Sequence, residues 1–477
     1  MKVKTLLHSL LLVFGCLNAQ SLQYYFGNLH AHTAFSDGNK DSLNSHVWSP
    51  AGSYAYAKQS LHFDFLGIAE HNHYSSPKNP GFRKQNYQAG LSMASAANLD
   101  GSFAALFGME WGVSSSYNGH VLIYGFNQLI GWETNVPGVS GNNYDVFNDK
   151  NDYDALFKKV KNNKASFAYL AHPNFNDFSS GSAASSLANG SYNADYDSAI
   201  VGMPLRSGLA FSTAENYLDY PLGDYFLYYK KMLYQGYHLG IGYDHDNHYT
   251  TFGRSNAGRL VIMAPDLSPA NVVKAMQDMR FYGSDDWNAK VDFQINAQPM
   301  GSIFSDVKYP SIGIVHQDDD GELCDSIKIW KGSKNSGGLW ASVIHTSLRS
   351  NTSAYIDFDV QSGIEYYYFI EIKQADGDWI VTSPIWFKAQ APLKTKATEA
   401  FEELRINFNA TNKYLSLSCS DATLHKLQIL DLNGQLLIDT SFSGHDAQIS
   451  LIGLNPGLYL MRLTSVYGTQ SKKLLIL

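Results

Sequence analysis

Between residues 20 and 290, short apolar runs alternate with helical or looped segments, and this alternation constrains the fold more than any other feature of the chain. A helix is predicted near the end of the region, because Ser268 can cap it, Pro269 suits its first turn and apolar residues then recur at helical spacing. Alternating strands and helices favour an α/β architecture. Six runs have the length and composition of strands: 63–69, 103–107, 121–124, 167–170, 238–241 and 259–263.

After residue 290 the pattern of predicted elements changes from alternating strands and helices to strands alone. Regularly spaced strands separated by Gly, Asp, Asn and Ser predict a β-sandwich over residues 291–390. A polar stretch at 391–405 is typical of a linker. Residues 406–477 predict a small all-β domain, in which Asn433-Gly434 signals a hairpin. The sandwich strands are expected at 291–295, 312–315, 326–330, 354–358, 366–372 and 379–382.

Composition excludes one large class of function. The formal net charge is -8 and the chain has no basic run, so the electrostatic signature of a protein that binds a nucleic-acid scaffold is missing. A charged fraction of 16% with 31 tyrosines indicates a Tyr-rich extracellular surface. Of three cysteines, Cys16 lies in the leader, while Cys324 and Cys419 fall in separate predicted domains. Thiolate metal sites are therefore excluded, and any metal must be held by His and carboxylate.

The start of the chain predicts export. Lys2 and Lys4 precede a short apolar run at 6–14, and small residues follow, so residues 1–19 are interpreted as a signal peptide. A membrane anchor is disfavoured, because the run is far shorter than the roughly 20 residues that span a bilayer. A lipoprotein signal ending at Cys16 is a second alternative, although Phe14 fits it badly.

Metal-ligating residues lie at the ends of the predicted strands. His30 and His32 follow the apolar run 24–26, and residues two apart on a strand point to the same side. Asp37 adds an oxygen ligand in the next loop. Further candidates at strand ends are His71, Glu110, His120, His172, Asp244, Asp246 and His248.

Side chains at one end of successive barrel strands converge on one pocket. His and carboxylate together suit Zn, Mn or Fe, and this many ligands exceed the needs of one ion, so two to three divalent ions are predicted. Each residue also has a structural interpretation: Glu110 as a surface acid, His120 as a strand-edge histidine and His172 as a turn former before Pro173.

The order of these motifs over residues 22–290 resembles the PHP (polymerase and histidinol phosphatase) family of metal-dependent phosphoesterases. The resemblance rests on His30-Ala-His32, Asp37, Glu70-His71, Gly108 to Glu110, His120, Ala171-His172-Pro173 and Asp246-Asn-His248. It implies a distorted (β/α)7 barrel, followed here by the β-sandwich and the small all-β domain.

The resemblance also implies a ligand set. His30, His32, Glu110 and Asp246 would hold one metal; Glu110, His120 and His172 a second; and Asp37, His71 and His248 a third. Two departures remain open: Glu70 stands where the family has Asp, and Asp244 could take the place of Asp246.

The chemistry implied is hydrolysis by a metal-bound hydroxide that attacks a phosphorus or carbonyl centre. Glu110, Asp246 and His172 are expected to act in catalysis. Arg254 could bind a phosphate oxygen, or it is a solvated loop arginine.

Two flanking resemblances add context. Residues 279–283, 300–301 and 383–386 are similar to secreted members of the carbaryl-hydrolase-like branch of the PHP group. Residues 406–477 resemble the C-terminal sorting domain of the type IX secretion system, the alternative being an ordinary adhesive β-sandwich.

The sequence therefore predicts a secreted or cell-surface metal-dependent hydrolase without a transmembrane segment, most simply a phosphoesterase that acts on a small phosphate ester and uses the type IX secretion machinery. An amide or carbamate hydrolase is the enzymatic alternative. A non-catalytic surface protein that binds glycans is the alternative from another class.

Overall fold

The computed structural model describes residues 22–74, 81–99, 101–112, 118–179, 187, 191–217, 223–306, 309–334, 340–389, 405–409, 413–418, 424–465 and 468–476. The predicted signal peptide lies outside these residues, as does the predicted linker apart from its last residue. The chain forms two compact units, Met1–Gln390 and Ala391–Leu477. The boundary predicted at residue 290 falls inside the first unit and stays a prediction.

The first half of the first unit contributes eleven strands to the described structure. A strand forms at each of the six predicted runs, with ends shifted by up to four residues. The strands are β1 (Gln23–Asn28), β2 (Phe65–His71), β3 (Ala104–Trp111), β4 (His120–Tyr124), β5 (Ile130–Gly131), β6 (Val146–Phe147), β7 (Phe167–Ala171), β8 (Ile200–Ser207), β9 (Gly240–Asp244), β10 (Arg259–Ala264) and β11 (Phe281–Ser284).

Helices are short. The predicted helix after β10 is confirmed: the Ser268 side chain accepts a hydrogen bond from the Asn271 N–H, and Pro269 opens the first turn. The described helices are α1 (Ser42–Ser45), α2 (Pro50–Ala57), α3 (Lys84–Ala97), α4 (Tyr153–Asn162), α5 (Ala194–Asp197), α6 (Phe226–Gln235) and α7 (Pro269–Gln277).

The predicted (β/α)7 barrel is wrong. Among the described residues, 43% lie in strands and 15% in helices. A β/α repeat needs parallel neighbours joined by a helix, but β3 pairs antiparallel with β4 across a short connection, and β4 pairs antiparallel with β7. In the described residues, the hydrogen-bonded path runs β11-β10-β1-β2-β3-β4-β7-β8-β9 and ends at β9, so they form no closed barrel.

The second half of the first unit adds ten described strands, and every predicted sandwich strand is present. These strands are β12 (Lys290–Ile295), β13 (Gln298–Pro299), β14 (Ile303–Asp306), β15 (Ser311–Gln317), β16 (Cys324–Ser333), β17 (Ser342–Leu348), β18 (Thr352–Ile356), β19 (Glu365–Gln374), β20 (Trp379–Thr382) and β21 (Ile385–Ala389).

These strands form two layers around one core. The sheet β13-β12-β15-β18 faces β16, β19 and β21, and the core between the layers contains Phe293, Ile314, Ile329 and Ile370. Strand β20 pairs antiparallel with β11. One layer is therefore continuous with the main sheet, which has 15 strands in all.

The second unit is all-β, as predicted. Its strands form a three-stranded and a four-stranded sheet around Leu415, Leu427, Ile429 and Leu463. The predicted hairpin joins the third and fourth strands of this unit, and Gly434 takes the positive φ of 83° that its turn requires. The strands are β22 (Arg405–Asn409), β23 (Tyr414–Ser418), β24 (Leu424–Leu430), β25 (Leu436–Ser443), β26 (Asp446–Ser450), β27 (Gly457–Ser465) and β28 (Gly468–Ile476).

None of the helices in the described ranges has both the length and the apolar character needed to cross a membrane.

Candidate metal centre

The segments that follow β1 and β9 are joined to each other just beyond the sheet. Ala31 forms a parallel bridge with Asn247, the His32 N–H donates to the Asn247 carbonyl at 2.8 Å, and the Asp246 N–H donates to the His30 carbonyl at 2.9 Å. This pairing places two imidazoles beside the Asp246 carboxylate. Asp246 Oδ1 lies 3.2 Å from His30 Nε2 and 3.1 Å from His32 Nε2.

The Asn28 side chain forms hydrogen bonds with both the segment after β1 and the segment after β9. Its side-chain oxygen accepts from the N–H groups of His30 and His245, and its amide donates to the His30 carbonyl at 2.7 Å. Sequence reasoning missed Asn28, although its place at the end of β1, two residues before a candidate ligand, was a usable signal.

Glu110, at the buried end of β3, lies at the centre of the site. Its Oε1 faces His120 Nδ1 at 2.7 Å and His172 Nε2 at 3.2 Å. Its Oε2 faces three other imidazoles: His32 Nε2 at 3.1 Å, His71 Nδ1 at 3.1 Å and His30 Nε2 at 3.4 Å. The two oxygens of the Glu110 carboxylate therefore face different groups of imidazoles.

Asp37 forms the third part of the site. Its Oδ1 lies 3.4 Å from His248 Nε2 and 3.7 Å from His71 Nε2. The loop that carries Asp37 leaves no room for a side chain at Gly38, where a Cβ would lie 2.2 Å from the His32 carbonyl.

Glu70, which departs from the family pattern, supports this loop. Its buried carboxylate accepts hydrogen bonds from the Thr33 N–H, the Thr33 hydroxyl and the Ser36 hydroxyl. Burial raises the pKa of Glu70 to about 7, although His32 and these hydrogen bonds favour its charged form.

Asp244, the last residue of β9, and Asp246, just after the strand, face different sides of His30. Asp246 faces Nε2, on the side of Glu110, whereas Asp244 Oδ2 lies 3.1 Å from Nδ1. A carboxylate on Nδ1 directs the Nε2 lone pair toward a metal. The geometry therefore groups Asp246 with the candidate ligands, whereas Asp244 contacts the opposite nitrogen of the His30 ring.

Charge in this cluster is balanced between acids and imidazoles. Burial opposes the charged form of His32, but Asp246 and Glu110 outweigh it and raise its pKa to about 10. Burial lowers the pKa of His71 to about 3. Burial also opposes ionisation of Glu110, but His120, His71 and His30 hold its pKa well below the usual value.

Several ligand-type atoms in the cluster lack a hydrogen-bond partner. His30 Nε2, Asp37 Oδ1, His71 Nδ1 and Glu110 Oε2 are buried without one in the described structure. Buried polar atoms are rarely left unpaired, so atoms of this kind fit the binding of cations. Nitrogen and carboxylate donors suit Zn, Mn or Fe.

The structure brings together all nine residues predicted as metal ligands. Their potential ligand atoms form overlapping groups, each spanning no more than 4.8 Å. Four of these groups are His32, Asp37, His71 and His248; His30, His32 and Asp246; His30, Glu110 and His172; and His71, Glu110 and His120.

Arg254 is held away from this cluster. Its guanidinium pairs with Glu215 at 3.7 Å, donates to the Gln59 carbonyl and lies over the Tyr56 ring. Within the part of the chain that the structure describes, none of its contacts reaches a candidate ligand.

A different cation borders the site. Lys40 Nζ lies 3.5 Å from Asp37 Oδ2 and 5.7 Å from the centre of the Phe211 ring. Phe211 is 61% exposed, and its ring packs on the His248 imidazole with 4.6 Å between the ring centres. Sequence reasoning missed both residues, and only the proximity of Lys40 to Asp37 along the chain could have indicated one of them.

The comparisons with known proteins assign the C-terminal unit. The family model of the secretion system C-terminal sorting domain matches residues 406–477. The predicted type IX sorting domain is therefore confirmed, and the protein is exported by that machinery to the cell surface or the medium. The resemblance of residues 22–290 to the PHP family has no such match and stays a prediction.

A comparison with curated proteins found no match. Among solved structures, fibronectin(III)-like modules of CbhA from Clostridium thermocellum share 12% identity at a TM-score of 0.16, over 39% of this chain and 94% of theirs. Dimeric latent PorU from Porphyromonas gingivalis shares 10% identity at a TM-score of 0.17, over 40% of this chain and 20% of that one. Chicken CNTN1 domains FN1-FN3 share 9% identity at a TM-score of 0.15, over 39% of this chain and 66% of that one. These likenesses are too distant to assign a function.

Proposed function

We propose that the protein is an exported metal-dependent hydrolase that holds two to three divalent ions. The observation that carries the proposal is the position of Glu110, whose two carboxylate oxygens face separate groups of imidazoles while Oε2 has no hydrogen-bond partner in the described residues. The residues that would hold the ions are His30, His32, Asp37, His71, Glu110, His120, His172, Asp246 and His248. Such ions, when bound, acidify water and neutralise negative charge that develops on a substrate.

The protein's own residues prepare the site. Asp244 orients the His30 imidazole, and Glu70 holds the loop of Asp37. Burial of His30, His32 and Glu110 excludes bulk water from the inner side of the cluster, which strengthens every charge interaction there. Substrate can approach from the side of Lys40 and Phe211, which are both partly exposed.

Within this class, we propose a phosphoesterase with the activity that is typical of the PHP family. This proposal concerns the activity alone and does not include the barrel fold of that family. Lys40 supports this choice, because an ammonium group beside Asp37 can pair with a phosphate oxygen. The proposed substrate is a small phosphate ester, and Phe211 offers a flat apolar face for its organic part.

One observation favours an amide or carbamate hydrolase instead. Arg254, the residue predicted to bind phosphate, is already paired with Glu215 and packed on Tyr56. A neutral substrate needs no such residue, because it carries no phosphate charge to bind.

Metal analysis and a substrate panel test the proposal. The purified chain should contain two to three divalent ions, lose activity on exhaustive chelation and regain it with Zn or Mn. Glu110→Gln should lower metal content and reduce activity by at least about 100-fold, because one carboxylate serves several ligand groups. Glu371→Gln, the same change in an acid that pairs with Lys328 outside the cluster, should alter neither.

Full activity after chelation would contradict the hydrolase proposal. Turnover of aryl carbamates without turnover of phosphate mono- or diesters would overturn the phosphoesterase and leave the metallohydrolase.

A further inference from the structure

Three acidic side chains meet at a second place in the first unit, outside the candidate metal centre. Asp286 follows β11, Asp318 and Glu322 lie in the connection between β15 and β16, and a carboxylate oxygen of each lies within 4.8 Å of the others. Asp286 is only 6% exposed. In the described residues, none of the ion pairs within 4 Å includes any of these three acids.

Gln374, at the end of β19, is the only neutral side chain that we find hydrogen-bonded to all three acids in the described structure. Its amide nitrogen lies 3.0 Å from Asp286 Oδ2, 3.2 Å from Asp318 Oδ2 and 3.0 Å from Glu322 Oε2. An amide carries two hydrogens, so it cannot satisfy three carboxylates at once.

The oxygen of the same amide points to a missing ligand. Gln374 is 2% exposed, yet its Oε1 has no hydrogen-bond partner in the described structure. Half a turn of the amide about its last torsion would exchange the nitrogen and the oxygen. That arrangement brings a fourth oxygen to three carboxylates, which is unfavourable without a cation and favourable with one.

Asn288 repeats the pattern nearby. It is 1% exposed, its amide donates to Asp320 at 2.7 Å, and its Oδ1 has no partner in the described structure. Two buried amides therefore direct their nitrogens toward acids and leave their oxygens unpaired.

We propose that Asp286, Asp318, Glu322 and Gln374 bind one calcium ion. All four can offer oxygen, the donor that calcium prefers, whereas the proposed hydrolytic centre is rich in imidazole. The ion would join the segment after β11, the β15–β16 connection and the end of β19. It would thereby connect the sheet β13-β12-β15-β18 to the main sheet.

Export makes this ion available. The sorting domain delivers the protein outside the cell, where calcium is abundant and extracellular sites function with dissociation constants of about 10⁻⁴–10⁻³ M. The site is independent of the proposed hydrolytic activity.

Thermal unfolding of the full mature chain with calcium alone as the probe tests the site. From a chelated start, millimolar calcium should raise the Tm by about 2–5 °C. Asp318→Asn and Glu322→Gln should each abolish this rise. In chelator, Glu322→Gln should unfold at or above the wild-type Tm, because it removes one of three repelling charges. A merely structural role would instead lower the Tm with and without calcium.

Two controls separate this site from the rest of the protein. Asp319→Asn changes the neighbouring acid, which is 52% exposed on its side chain and pairs with Lys290, and should keep the full calcium response. Glu110→Gln should also keep it, although it impairs the proposed hydrolytic centre. A wild type without a calcium-dependent Tm rise, an equal response to magnesium, or an unchanged response in both Asp318→Asn and Glu322→Gln would overturn the proposal.

Discussion

At the scale of single residues, Asp244 and Asp246 have different environments although they are two positions apart. Asp244 faces His30 Nδ1 and Asp246 faces Nε2, so Asp244 is a positioning residue and Asp246 a candidate ligand. Asp244→Asn should weaken metal binding by about 10–100-fold while leaving the ligand count unchanged. Asp246→Asn should lose an ion outright. Competition with a chromogenic chelator and metal analysis measure both, and the reverse ranking would exchange the two assignments.

At the scale of elements, His238 joins the start of β9 to β19. Its Nδ1 lies 3.0 Å from Asp197 and its Nε2 lies 3.3 Å from Glu365. Burial opposes its charge, but the two carboxylates outweigh burial and raise its pKa to about 9. Because the folded pKa exceeds the unfolded value of about 6.5, this stabilisation is complete below pH 6.5 and is lost as pH rises through 9.

His238→Gln should therefore lower the free energy of unfolding at pH 6, by about 1–2 kcal/mol after allowance for solvent screening, and much less at pH 10. Urea denaturation at a series of pH values measures the difference. A pH-independent effect of His238→Gln would contradict the ion-pair interpretation.

At the scale of the whole molecule, export and chemistry belong to different units. The sorting domain occupies residues 406–477, and every residue of the candidate metal centre lies in the first unit. Deletion of 406–477 should leave metal content and hydrolase activity unchanged but retain the protein in the periplasm. Fractionation of the native host measures this, with the full-length chain as the control. Delivery of the truncated protein to the medium would contradict the role of the sorting domain.

Much of the local structure was predictable because it depends on neighbours in sequence. The β10 strand and the helix after it follow from an apolar run, a Ser cap and a first-turn Pro. The hairpin at Asn433-Gly434 follows from a backbone conformation that Gly434 adopts without strain. Strand direction was not predictable in this way: a run such as 121–124 has the same pattern whether it pairs parallel or antiparallel, and its antiparallel pairing with β3 is one reason why the barrel prediction failed.

The sequence by itself determined which residue types are available and the approximate positions of many of the strands. It placed His30, Glu110, His172 and Asp246 at strand ends, and it specified the sorting domain that exports the chain. Only the tertiary structure decided which of these residues meet, because residues distant along the chain are brought together by sheet pairing. Glu110 faces five imidazoles, and Gln374 contacts acids from two other segments. Close packing around both side chains restricts the orientations that they can adopt.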